Sequence, residues 1–384
     1  MIPYATQSIN ANDPKNVKKT LKNKFLTQGP LNKKFENNLS KKFNSKYCLT
    51  VNSGTSALHL ACISLGLKKN DLVLTSPVSF VATANAVIYT GAKVDFVDIN
   101  ESFNIDPNQL EKKILFYKKK YKIIPKAVIV VHLAGLPTGL SEVWKLSKKY
   151  KFKIIEDASH AVGAKYKNKY IGGCQYSHIT TFSFHPVKII TTSEGGALLT
   201  NIKNLYDNAL YARSHGIKRK NNSNKFWIYD QKRIGWNFRM SEIQAALGIS
   251  QLSRIKSFTD IRIKISKKYK DNLKDLPIKF QKIDKNSQSS WHLFIIIVNQ
   301  KYRDNLFYYL KQKKIETNLH YIPIYRHSFH KNKEIKYYKN EYRKTEEYFK
   351  QAISLPMHAN LSNKQINYII NSIKKFFKEN YAPK

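Results

Sequence analysis

The sequence predicts an α/β protein, with a mainly parallel sheet in a large domain and a smaller α+β domain after it. Three observations carry this expectation. Short apolar runs alternate with amphipathic runs from about residue 46 to residue 200, which is the rhythm of βαβ units. The strand-like runs are apolar at nearly every position, as strands covered on both faces are. Beyond about residue 255 the alternation stops, and one strongly apolar strand is set among helices.

Taken in order, residues 46–51 read as a strand and 55–67 as a helix with Leu58, Ala61, Cys62 and Leu65 on one face. Residues 71–76 and 94–99 read as strands around a helix over 80–89. Pro107 opens a helix over 107–118, because proline suits the first helical position. Residues 127–132 and 152–155 are apolar strands flanking a helix over 140–150. A helix-rich stretch, 241–273, leads to the second unit. There a strand over 291–298 precedes a helix over 304–313, an extended run over 317–322 and helices over 344–353 and 364–377. The polar run DKNSQSS, 284–290, reads as a loop. The expected boundaries are an N-terminal arm over 1–14, a large domain over 15–255 and a small domain over 256–384. The arm is too short to fold alone and must lie on something else.

Hydrophobic residues make up 42% of the chain, too many for a disordered protein. Lys and Arg number 67 against 26 Asp and Glu, a formal net charge of +41. Such an excess could attract nucleic acid or anionic lipid. No nucleic-acid-binding module accompanies it, and Lys, Asn, Ile and Tyr are abundant together, so a biased composition is the expected cause. A modest gain would be attraction of an anionic substrate. No apolar run reaches the roughly 18 residues of a membrane helix. The N-terminus lacks a basic start followed by an apolar run, so a cytoplasmic location is expected. Cys48, Cys62 and Cys174 lie far apart and read as separate thiols, with no disulfide framework and no metal site.

Ligands of open parallel sheets collect beyond the carboxyl ends of the strands, and three segments supply reactive groups there. Asn52-Ser53-Gly54-Thr55-Ser56 lies between a strand and a helix. Free backbone N–H groups at that helix start would suit a phosphate, although a plain N-cap at Ser53 or Thr55 explains part of the pattern. Glu156 and Asp157 end an apolar strand and point to opposite faces, so they cannot share one task. One of them could hold a cationic ring nitrogen; the alternative is an N-cap and a surface acid. Lys188 stands alone among Val187, Ile189 and Ile190. Apolar surroundings lower a lysine's pKa, and a neutral amine adds to carbonyls. The alternative is a packed stem with its head in water. A phosphate cradle, a carboxylate for a ring nitrogen and a buried lysine are together the contacts that pyridoxal phosphate (PLP) requires.

These residues resemble the DegT/DnrJ/EryC1/StrS family of sugar aminotransferases. The resemblance runs through FLTQGP (25–30), NSGTSAL (52–58), SFVATAN (79–85), EDASHA (156–161), FSFHPVK (182–188), EGG (194–196) and WNFRM (236–240). FSFHPVK, RSHGI (213–217) and SLPMHANL (354–361) are most similar to the branch that serves pseudaminic acid synthesis. The resemblance implies the fold type I, aspartate aminotransferase-like architecture, PLP as cofactor, a UDP-linked 4-keto-6-deoxy sugar as acceptor and glutamate as amino donor. It implies a homodimer with shared active sites. Lys188 would be the catalytic lysine that bonds the cofactor aldehyde. Asp157 would pair with the pyridine nitrogen, leaving Glu156 structural. Phe80 would stack on the ring, Gly54, Thr55 and Ser183 would hold the phosphate, and His160 would lie close to the ring. Asn237 would reach phosphate or substrate across the dimer. Tyr4, Lys24, Phe25, Leu26, Thr27, His185, His320, Tyr321, Ile322 and Pro323 would meet the substrate. Gly54, where alanine is frequent, and Ser193, where glycine or alanine is frequent, depart mildly from the family pattern.

Overall fold

The computed structural model describes residues 1–219, 227–331 and 341–380. Seven strands form its main sheet: β1 (Tyr47–Val51), β2 (Leu72–Thr75), β3 (Lys93–Phe96), β4 (Ala127–Val131), β5 (Lys153–Asp157), β6 (Ile179–Ser183) and β7 (Gly196–Thr200). Their order across the sheet is β1-β7-β6-β5-β4-β2-β3. Only β7 runs antiparallel to its neighbours, so the other six strands point the same way.

Alternation along each strand explains why nearly every position is apolar. Val128 and Val130 face one cluster, which holds Phe35, Leu39, Leu110, Val143 and Leu252 from helices on that side. Ala127 and Ile129 face another, with Leu58, Ala61, Val87 and Ala209. Burial on both faces is the geometry of a parallel sheet between helical layers.

A three-stranded antiparallel sheet follows, β8 (Ile278–Phe280), β9 (Phe294–Val298) and β10 (Ala352–Leu355), with β9 in the middle. The run expected as one helix over 344–353 divides. Helix Arg343–Gln351 ends, and Ala352–Leu355 pairs with β9. All four residues of β10 are buried, and Ser354 exchanges main-chain hydrogen bonds with Asn318. A short apolar run has no helical or strand preference of its own, and the exposed edge of β9 decides the matter. The strand expected from residue 291 starts at Phe294, because Trp291 turns the chain with φ 52°. Ser287–Gln288, expected as loop, pairs with Lys165–Tyr166.

Helix Ile255–Leu273 joins the two units. Ile255 and Phe258 belong to the core of the main sheet, whereas Ile265, Tyr269 and Leu273 belong to that of the small sheet. Midway, the buried Arg262 donates to the carbonyls of Trp291, His292 and Met357 at 3.1, 3.2 and 2.8 Å. Burial pushes its pKa down to about 10, so it stays charged at neutral pH.

The N-terminal arm lies on the small sheet's unit. Ile2 N–H donates to Lys314, Glu316 N–H donates to Ile2, and Met357 N–H donates to Tyr4. Two helices that the sequence reading passed over, Asn12–Leu21 and Pro30–Phe43, connect the arm to β1. Gly29 caps the second with no side chain of its own. Glu242, fully buried, supplies the cap instead, accepting from Leu31 N–H at 2.7 Å, Asn32 N–H at 3.0 Å and Asn32 Nδ2 at 2.6 Å. A Cβ on Gly29 would stand 2.6 Å from that carboxylate. Replacing Glu242 with Gln puts a donor where an acceptor is needed and removes the anion at a helix N-terminus. Glu242→Gln should lower stability by about 1–3 kcal/mol. The check is a urea titration with a lowered midpoint and an unchanged slope.

Candidate active site

The six parallel strands deliver their following loops to one edge of the sheet. There Asn52–Thr55 follow β1, Ser79–Thr83 follow β2, His132–Ala134 follow β4, Ala158–His160 follow β5 and Phe184–Lys188 follow β6.

At the end of β1, Ser53 caps helix Gly54–Ser64 by accepting from Ser56 N–H at 3.0 Å. Of the two candidate caps Ser53 is the one used, and the Thr55 hydroxyl is left over. The N–H groups of Gly54 and Thr55 find no acceptor within the helix, as expected for its first turn. Ser183, at the end of β6, closes the other side. A Cβ on Gly54 would lie 2.7 Å from Ser183 Cβ and 2.9 Å from its Oγ, so glycine is what lets the helix start and this hydroxyl approach. Two free N–H groups, two hydroxyls and a helix dipole form a cradle for a phosphate.

Glu156 and Asp157 diverge as their strand requires. Glu156 accepts from Thr180 at 2.9 Å and from the Ser177 hydroxyl, and it meets His132 Nε2 at 2.8 Å. His132 Nδ1 accepts from Thr138 N–H, so the ring hydrogen sits on Nε2 and donates to Glu156. Glu156 is fully occupied within the core. Asp157 is buried at the sheet edge. Its Oδ1 accepts from the Ser159 N–H and hydroxyl at 3.2 and 2.6 Å, and its Oδ2 accepts from the Thr83 hydroxyl at 2.7 Å. Ser79 in turn meets Thr83 at 2.7 Å. These donors hold the carboxylate and leave lone pairs for a further cation.

Lys188 lies in the loop after β6, where its N–H closes a turn onto His185. Ile189 and Ile190 beside it are buried, and Lys188 itself keeps partial exposure, so it is less sealed than its apolar neighbours suggested. Desolvation nonetheless pushes its pKa down to about 8, with the Asp157 carboxylate pulling the other way. Between pH 8 and the ordinary lysine value the unfolded chain holds a proton that the folded chain lacks. Stability contributed by this group therefore rises with pH across that window, and the full penalty is felt below it.

A histidine and tyrosine cluster walls the same chamber. His160 Nδ1 accepts from Ala134 N–H at 3.3 Å, and its Nε2 lies 3.0 Å from Tyr321 Oη. His292 packs on His160 with ring centroids 4.3 Å apart. His320 meets Ser354 Oγ at 2.9 Å and the Tyr4 ring at 5.5 Å. Burial and then Lys188 push His320 down to about 3. Burial, then Lys188, then His320 hold His160 well below the ordinary range. Phe80 is 58% exposed, with its ring 6.0 Å from that of Tyr321.

The other expected residues are more scattered. His185 is exposed and 3.8 Å from Glu194. Asn237 is exposed, and its carbonyl accepts from Asn52 Nδ2 at 3.4 Å, beside the phosphate cradle of its own chain. Lys24, Phe25, Leu26 and Thr27 form an exposed loop, anchored where Thr27 bridges Ser241 and Glu242 N–H donates to Leu26. Ile322 is exposed and Pro323 buried beyond the cluster. No role follows from the sequence pattern for Thr83, Ser159, Ala134 or His292. The first two could have been found, since Ser159 lies two residues past Asp157 and Thr83 lies one helical turn past Ser79. Nothing near His292 in the chain announces its contact with His160. Among the described residues, no group of three or more His, Cys, Asp or Glu could hold a metal, and the three cysteines are buried and unpaired.

A parallel sheet with one reversed strand, carrying a lysine, a carboxylate and a phosphate cradle at its carboxyl edge, is the arrangement of the fold type I, aspartate aminotransferase-like enzymes. The chain matches the DegT/DnrJ/EryC1/StrS aminotransferase family over residues 7–374 and belongs to it. It is 36% identical over 379 residues to a Campylobacter jejuni protein named UDP-4-amino-4,6-dideoxy-N-acetyl-β-L-altrosamine transaminase, covering 97% of this chain and 96% of the relative. Helicobacter pylori PseC, an aminotransferase of pseudaminic acid biosynthesis, superposes with a TM-score of 0.90 at 33% identity, covering 98% of this chain and 99% of that one. The PLP form of Streptococcus pneumoniae Spr1654 gives a TM-score of 0.89 at 27% identity, covering 98% and 99%. No helix among the described residues is long and apolar enough to cross a membrane.

The depressed amine is directly measurable. In cofactor-free protein, acetylation of Lys188 by acetic anhydride should reach half its limiting rate near pH 8, whereas exposed lysines should still gain reactivity toward pH 10.5. Peptide mass spectrometry across a pH series reads both. A Lys188 profile that tracks the surface lysines would show that its amine is not desolvated.

Proposed function

We propose that this enzyme is a PLP-dependent transaminase converting UDP-2-acetamido-2,6-dideoxy-β-L-arabino-hex-4-ulose to UDP-4-amino-4,6-dideoxy-N-acetyl-β-L-altrosamine, with glutamate as amino donor, in pseudaminic acid biosynthesis. The observation that carries the reading is one sheet edge that holds a lysine with its pKa lowered to about 8, Lys188, a buried carboxylate that acts on it, Asp157, and the close approach of Gly54 to Ser183. The kinship with the Campylobacter and Helicobacter enzymes supports the choice of sugar.

PLP supplies an aldehyde that exchanges for an amine and a ring that withdraws electrons from the adjacent carbon. The chain's residues do the rest. Gly54 N–H, Thr55 and Ser183 would bind the phosphate. Asp157, held by Thr83 and Ser159, would keep a proton on the ring nitrogen. Phe80 would offer its exposed face to the ring, with His160 beside it. Lys188 Nζ would hold the aldehyde and, when free, would carry the proton to and from the substrate carbon. A pKa near 8 leaves a useful fraction of neutral amine at physiological pH. Tyr4, His320 and Tyr321 of the chamber wall would contact the sugar nucleotide, and His185, Ile322 and Pro323 are assigned to it by resemblance alone. In a homodimer, the exposed loop Lys24–Phe25–Leu26–Thr27 and Asn237 serve the partner's site, which gives half-exposed Phe25 and Leu26 a surface to cover. The excess of basic residues favours approach of the diphosphate.

Incubation with the keto sugar and glutamate should give the 4-amino sugar, identified by NMR. Activity confined to another nucleotide sugar in a panel would move the assignment elsewhere in the family. Lys188→Arg should lose both the absorption above about 400 nm and turnover, because a guanidinium does not add to the aldehyde. Asp157→Asn should bind PLP yet transaminate slower by on the order of 10²-fold, as expected when a buried charge partner is lost. Borohydride labelling of a residue other than Lys188 would sink the mechanism.

A further inference from the structure

We infer that Tyr321 is the hydrogen-bond donor to the ketone oxygen of the sugar, and that His160 fixes it in that role. The inference rests on the sugar-transaminase reading above and adds a specific atom-level task to it.

The hydrogens at His160 fix the polarity of the contact. His160 Nδ1 accepts from Ala134 N–H, so it carries no hydrogen. His160 is buried against His292 and feels the Lys188 charge, an environment that disfavours a second proton. The ring hydrogen of the neutral imidazole therefore sits on Nε2, 3.0 Å from Tyr321 Oη. Tyr321 Oη must accept there. Its own hydrogen then points elsewhere, and among the described residues it meets no acceptor. The phenol is kept protonated, because burial, then Asp157 and Tyr4, hold its pKa above the ordinary range. The result is a donor of fixed polarity.

Position selects what the donor serves. The Tyr321 ring lies 6.0 Å from Phe80, on whose exposed face the cofactor ring would stack, and 28° from parallel with His160. His160 and His320, which flank Tyr321, both feel the Lys188 charge. The hydroxyl therefore belongs to the chamber of the Lys188 amine, where amine and ketone would meet. When an amine adds to the ketone, the C=O electron pair moves onto oxygen, and a donor aimed at that oxygen stabilises the growing charge. The raised phenol pKa suits donation of a hydrogen bond, not surrender of the proton. In the glutamate half the matching step, release of the keto acid, comes after the absorption above about 400 nm has gone, so that absorbance change should depend less on Tyr321 than its return in the sugar half does.

The experiment separates the two half-reactions by stopped-flow absorbance, with wild type run alongside. Tyr321→Phe should slow the sugar half-reaction at least 10-fold more than the glutamate half-reaction. His160→Phe, which removes the orienting N–H, should show the same selectivity. His160→Gln, whose amide both accepts and donates, should recover most of the loss. In cofactor-free protein, ¹⁵N NMR should show His160 as the Nε2–H tautomer from pH 6 to pH 9. Equal slowing of both halves, no slowing of either, or an Nδ1–H tautomer would overturn the inference and leave the reaction assignment standing. Wild type inert toward the keto sugar would instead overturn that assignment and the ketone role with it.

Discussion

The cost of keeping an ammonium at Lys188 is the constraint around which this site is organised. Desolvation lowers its pKa to about 8, and Asp157 limits the fall. Without the carboxylate the amine would be less often protonated, and without the apolar loop it would behave as one more surface lysine. The surrounding histidines share the burden. Three imidazoles lie close enough to feel that charge, and all three are held neutral. The chamber thus contains one base of useful strength among groups that do not compete with it for protons.

The fold makes this arrangement inexpensive. The reactive groups lie just beyond or at the last residues of strands whose bodies are buried and mostly apolar. Burial of those strands stabilises the edge while leaving the loops free to carry polar chemistry. Divergence at the end of β5 does the sorting. Glu156 turns into the core, where His132, Ser177 and Thr180 satisfy it, and Asp157 turns to the chamber. Two adjacent acids acquire different roles from strand geometry alone.

Most of the large sheet was legible because its strands are apolar on both faces and its helices carry one-sided stripes. The helix over 140–150 forms where the sequence predicts it, since its apolar side is one-sided and apolar strands flank it. Legibility failed where a long-range partner decides the structure. Ala352–Leu355 became a strand only because β9 offers an edge. Pro30–Phe43 escaped notice because its cap, Glu242, lies more than 200 residues away. At the site, Gly54, Asp157 and Lys188 announce themselves by local chemistry, whereas the approach of Tyr321 and His292 to His160 is a product of tertiary folding that no spacing encodes.

Helix Ile255–Leu273 has an implication for how the molecule comes apart. Its first turns are packed in one core and its last turns in the other, with Arg262 tying three carbonyls at the junction. Cutting the gene on either side of this helix would strip an apolar stripe from one fragment or leave it bare on the other. The two lobes are therefore expected to melt together as a single cooperative body, and neither is a ready-made module for transplantation into another protein.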